Sequence, residues 1–106
     1  SYPSVKTELK ILQGIANTVN VKDDDFCQRL VDWGDIIRKT FYDGGIEEII
    51  STRRLVHIIR AYGIFKNKAK SIEVCVNRFD DETKQAFMEL YDKVDADVQF
   101  DETPNS

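Results

Sequence analysis

Phe26, Leu30, Trp33, Ile37 and Phe41 recur at i, i+4, i+7, i+11 and i+15. That spacing winds onto one side of an α-helix and fits no strand, whose side chains alternate between faces. Asp23-Asp24-Asp25 opens the run, where carboxylates cap free backbone N–H groups and complement the positive end of the helix dipole. Asp43-Gly44-Gly45 closes it and turns the chain. An acidic triplet also suggests a cation site, but no EF-hand pattern surrounds this one, and capping is the better reading. A stripe this long and aromatic has to be buried, so it is expected to anchor the core of whatever the rest of the chain builds.

The remaining periodicity is helical too. Ser4, after Tyr2-Pro3, caps a run with Val5, Leu9, Leu12, Ile15, Ala16 and Val19 on one face. Residues 17–22 read as a connection. Ser51 caps a third helix through Leu55, Ile58, Ile59, Tyr62 and Phe65, in which Gly63 costs some stability. Ile46 to Ile50 is either a brief extended segment or the lead into Ser51. Asn67 and its neighbouring lysines mark a tight connection. The spacing predicts a fourth helix over Ala69–Phe79, with Ala69, Ile72, Val76 and Phe79 facing inward. Asp80 stops it and caps a fifth, with Phe87, Leu90, Tyr91 and Val94 on its apolar side. A chain of 106 residues supports one domain. The expected fold is therefore all-α, a small bundle of about five helices over residues 1–96. Residues 97–106 are acidic and aperiodic and are expected to fray.

Several functions are excluded or made remote. No apolar run approaches the roughly 18–20 residues that cross a bilayer, and no signal peptide is visible, so a soluble, cytoplasmic setting is expected. The chain lacks an initial Met and reads as an excised piece or a processed product. Cys27 and Cys75 are far apart and lie in helical patterns, which suits buried free thiols better than a disulfide. His57 is the only histidine, so no metal site is expected. There is no GxxxxGK[ST] phosphate loop and no nucleophile–base set, so the chain alone is not expected to be an enzyme.

The net charge of −4 hides segregation. Between Ser51 and Arg78 stand Arg53, Arg54, Arg60, Lys66, Lys68, Lys70 and Arg78 against Glu73 alone; acids dominate after Phe79. Attraction between oppositely charged neighbouring helices accounts for most of this, although a basic middle also suits phosphates. In the third helix, at about 100° per residue, Arg53, His57 and Arg60 fall opposite the apolar stripe. A guanidinium at a helix start is well shaped to grip a phosphate.

Two segments together resemble the lid subdomain of AAA+ ATPases. Tyr2-Pro3-Ser4 followed by Glu8-Leu9-Lys10-Ile11-Leu12 looks like the start of that lid. Ser51-Thr52-Arg53 looks like the sensor-2 motif at the first turn of a lid helix, with Thr52 where many relatives have Pro. The nearest branch is the MoxR and CobS-like (cobalt-chelatase small-subunit-like) group. Copies from tailed bacteriophages are similar through Ser51-Thr52-Arg53-Arg54-Leu55 and Cys75-Val76-Asn77-Arg78-Phe79-Asp80-Asp81-Glu82-Thr83.

The resemblance implies a part of an ATP-hydrolysing enzyme whose ATP and Mg²⁺ sit on a separate P-loop core domain, with no tight cofactor binding by this fragment. It implies Arg53 as the catalytic sensor-2 residue, with Arg53, Arg54, Tyr2 and Ile11 near the nucleotide. Arg53 suits the role better than Arg54, which flanks the apolar stripe, although the doublet leaves both in play. Tyr2 and Ile11 have the alternative of ordinary packing, and His57 and Arg60 that of simple solvation. Implied partners are the P-loop core, neighbouring subunits of a ring and a macromolecular client, in the cytoplasm of a bacterial host if phage-encoded. The competing reading is a small helical nucleic-acid-binding or protein-interaction module using Arg53, Arg54, Arg60, Lys66, Lys68 and Lys70; the acidic total weighs against the nucleic acid.

Overall fold

A computed structural model describes residues 2–100. Among these are five helices and no strand: α1 (Val5–Thr18), α2 (Asp24–Tyr42), α3 (Thr52–Phe65), α4 (Lys68–Val76) and α5 (Asp81–Val94). The all-helical expectation holds. The four expected caps all form. Ser4, Asp23, Ser51 and Asp80 accept the backbone N–H of Thr7, Phe26, Arg54 and Thr83 at 3.2, 3.0, 3.1 and 2.7 Å. Asn67 does the same for Lys70 at 2.9 Å and so starts α4.

Helix ends follow equally local rules. Gly44 takes a left-handed conformation, φ 83°, which suits a residue without Cβ. The N–H groups of Gly44 and Gly45 then bond back to the carbonyls of Phe41 and Thr40, satisfying two terminal acceptors of α2. Asn20, φ 59°, closes α1 by the same pattern.

The fourth helix is shorter than its spacing suggests, ending at Val76 rather than Phe79. The chain turns there, with the Phe79 N–H on the Val76 carbonyl at 3.0 Å, and reaches Asp80 in the extended conformation that a cap needs. Phe79 keeps its inward role by packing edge-on against Phe87, ring centroids 5.0 Å apart. Residues 46–50 form neither strand nor helix; they lead into α3, with Ile50 fully buried.

Helix α2 is the spine. It packs against α1, α3 and α5, while α3 also meets α1 and α4. Trp33 on α2 is fully buried, edge-on to Phe87 and Tyr91 of α5, and its indole N–H donates to the Phe87 carbonyl at 2.8 Å. Gly63 lets α3 close on the end of α1: a Cβ there would stand 3.2 Å from the Val19 side chain. Val98 is buried and Phe100 packs edge-on to Tyr91, so residues 97–100 lie against the bundle; the rest of the expected frayed segment falls outside the described residues. The Cys27 thiol is pushed up to about 11 by burial, with Asp24 and Asp23 adding to it, and stays protonated near neutrality.

Asp23 does more than cap. Its second carboxylate oxygen accepts from the Tyr62 hydroxyl and pairs with Lys68, each at 3.3 Å, joining α2 to α3 and α4. Burial alone would raise its pKa; the Phe26 N–H and Lys68 outweigh that and hold it below the usual 3.8. The anticipated attraction between the basic middle and the acidic end is present at Lys68, whose charged form the Asp95 carboxylate favours.

Two outcomes follow from this packing. A carboxyl whose folded pKa is depressed stabilises the fold above its unfolded pKa and loses that contribution as pH falls through the folded one. Urea titrations should therefore show stability dropping as pH falls from the ordinary carboxylate value of 3.8 through the lower folded one, with a smaller drop in Asp23→Asn. Gly14→Ala, in open space, should stabilise by about 0.5–1 kcal/mol. Gly63→Ala, pressed onto Val19, should instead destabilise, since overpacking costs about 1–3 kcal/mol.

Candidate functional site

The start of α3 carries an arginine doublet, Arg53 and Arg54. Ser51 caps it, so Thr52 and Arg53 occupy the first two helical positions. Arg53 is exposed, and among the described residues its side chain has no hydrogen bond, ion pair or ring contact. Arg54 points elsewhere: it is half-buried, with its guanidinium 5.3 Å from the centre of the Phe79 ring. It also lies near Cys75, whose thiol burial pushes up more than Arg54 and Arg78 pull it down. His57 and Arg60 are exposed along the same helix.

Beneath this turn lies a buried polar cluster. Glu8 of α1 is fully buried and receives both terminal nitrogens of Arg38 of α2, at 2.9 and 2.8 Å. This is the bidentate geometry in which a planar guanidinium serves a carboxylate best. Arg38 also donates through Nε and Nη2 to the Ile50 carbonyl, at 3.2 and 3.0 Å. The Thr52 hydroxyl donates to the other side of the cluster, reaching Glu8 Oε2 at 2.5 Å. No buried side-chain polar atom among the described residues lacks a partner, so the pair's desolvation is offset as fully as geometry allows.

Of the remaining residues the sequence singles out, Tyr2 joins this assembly and Ile11 does not. The Arg38 guanidinium sits 4.4 Å over the Tyr2 ring, which stays 37% exposed. Ile11 lies one turn beyond Glu8 on α1 and is equally exposed. Tyr2 and Arg53 therefore flank one cluster through Arg38, Glu8 and Thr52, while Arg54 is drawn toward Phe79. Sequence reasoning missed the cluster, although two signals were present. Glu8 stands on the buried stripe with Leu12 and Ala16, and Arg38 follows Ile37 and Gly34 on that of α2. Opposite charges on two buried stripes need each other.

At the far end of α3, about 20 Å away by helix rise, Tyr62, Lys66, Lys68, Asp97 and Val98 line an open groove. Among the described residues no three acidic, histidine or cysteine side chains are grouped to hold a metal ion.

The family model for the CbbQ/NirQ/NorQ C-terminal domain matches residues 8–94. The chain belongs to this family, the C-terminal helical region of AAA+ ATPases of the MoxR-like kind. No curated protein and no solved structure gives a significant match.

Removing one partner of a buried pair leaves an uncompensated charge, so Glu8→Ala should cost about 3–5 kcal/mol by urea unfolding. Replacing both, as in Glu8→Leu with Arg38→Met, should cost clearly less than the sum of the singles, which a double-mutant cycle measures directly.

Proposed function

We propose that this domain is the helical lid of an AAA+ ATPase and that Arg53 is its sensor-2 arginine, contacting the γ-phosphate of ATP held on a P-loop core. The observation that carries this reading is the contrast within the arginine doublet. Arg53 is exposed and its side chain has no partner among the described residues, whereas Arg54 lies over Phe79. Membership of the family supports the wider setting, a lid working with its own core and with neighbouring subunits. Tyr2 and Ile11, both exposed at the start of the domain, suit the adenine side of the nucleotide. The CobS-like and tailed-phage affinity rests on the Ser51–Leu55 and Cys75–Thr83 segments.

The mechanism is one of differential contact. A guanidinium bonded to the γ-phosphate exists with ATP and loses its partner when that phosphate leaves. Such a charged hydrogen bond is worth roughly 1.5–3 kcal/mol, enough to bias a lid between two positions. Hydrolysis would then change the lid angle and, through it, the contact with the next subunit. ATP and Mg²⁺ belong to the core, which supplies the phosphate loop that this chain lacks.

In the full-length ATPase, Arg53→Ala should lower ATP turnover by about ten- to a hundredfold, from the size of that bond. Arg54→Ala should cost much less. Unchanged turnover in Arg53→Ala would favour a plain interaction module, and duplex DNA binding that collapses steeply with added salt would favour the nucleic-acid reading.

A further inference from the structure

The first turn of a helix lacks the backbone bonds that hold its interior, so it frays unless something outside fixes it. Arg53 sits in such a turn, at the second helical position of α3. Here three consecutive residues just before it are held. The Ile50 carbonyl accepts two donors from Arg38. Ser51 caps the helix through its own side chain. Thr52 donates to Glu8. Two of these three restraints come from one buried ion pair on two other helices, and the third is local.

A buried ion pair adds little stability compared with apolar residues of similar volume. What it does supply is direction, because a bidentate carboxylate–guanidinium unit has a fixed plane and fixed remaining lone pairs. The remaining hydrogen bonds of that unit join it to Ile50, through two donors of Arg38, and to Thr52.

We propose that Glu8, Arg38 and Thr52 are positioning residues that hold the first turn of α3 so that Arg53 projects at a fixed angle. Tyr2, stacked on Arg38, ties the chain entering the domain to the same unit. Thr52 is the least buried of the three, and the hydroxyl bond to Glu8 is its one side-chain hydrogen bond among the described residues, so it is the member that can be altered with least damage to the core. The inference rests on Arg53 being the phosphate-contacting residue.

The test uses the full-length ATPase and compares Thr52→Val with Thr52→Ser, each alone and combined with Arg53→Ala. Valine keeps the shape and removes the hydroxyl; serine keeps the hydroxyl. Thr52→Val should lower kcat/KM for ATP by about tenfold, the scale of one hydrogen bond to a charged group. Thr52→Ser should recover activity to within about twofold of the parent, and Thr52→Val should add nothing to Arg53→Ala, as expected of groups acting as a unit. A Thr52→Val effect that is absent, or that multiplies with that of Arg53→Ala, overturns the positioning role while leaving Arg53 itself intact. An Arg53→Ala variant with full turnover overturns the underlying reading instead. Thr52→Ala, which also removes the hydroxyl while favouring helix at that position, provides the same comparison should Thr52→Val melt below the assay temperature. Non-additivity with Arg53→Ala supports the role there too, and additivity overturns it.

Discussion

The Glu8–Arg38 pair is the point at which the architecture of this domain converges. Two opposite charges are taken out of water, and the cost is met only because every polar atom of the pair is used. Glu8 belongs to α1, Arg38 to α2, and their other bonds go to the chain entering α3. Three helices are thus referred to one rigid planar unit. Hydrophobic contact alone would hold these helices together without fixing how far α3 is rotated or slid, since apolar packing has little direction. A second polar node, Asp23 with Tyr62 and Lys68, does comparable work near the far end of α3. Between the two, α3 is restrained at both ends.

Much of the fold was legible because it is local. Ser4, Asp23, Ser51 and Asp80 each bond an N–H three residues away, and such contacts depend on nothing beyond the segment itself. The apolar stripes follow helical period for the same reason. What escaped was non-local. Trp33 finds the Phe87 carbonyl 54 residues away, and Thr52 finds Glu8 across 44. Periodicity places a residue on a face but does not say which face of which helix it meets. The end of α4 was overestimated because Phe79 fits the inward spacing, yet Asp80 needs extended backbone to cap α5, and the cap prevails over one more helical residue.

The candidate site was legible in part, and its two halves differ. Arg53 and Arg54 are adjacent and chemically alike, so only their angular positions distinguish them in sequence. The fold widens that difference by giving Arg54 an aromatic partner and leaving Arg53 exposed. Glu8 and Arg38 were harder to see because charged residues on buried stripes look like imperfections of a pattern. Their placement makes sense only when the two helices are brought side by side.

Trp33 is the only tryptophan in the chain, and it lies sealed between the spine and the last helix. Its indole is therefore an intrinsic optical probe of one joint. Fluorescence from this domain reports whether α5 remains docked on α2, and a rearrangement confined to the first turn of α3 would pass unseen by it. Any spectroscopic study of motion at that turn needs a second chromophore placed near Thr52.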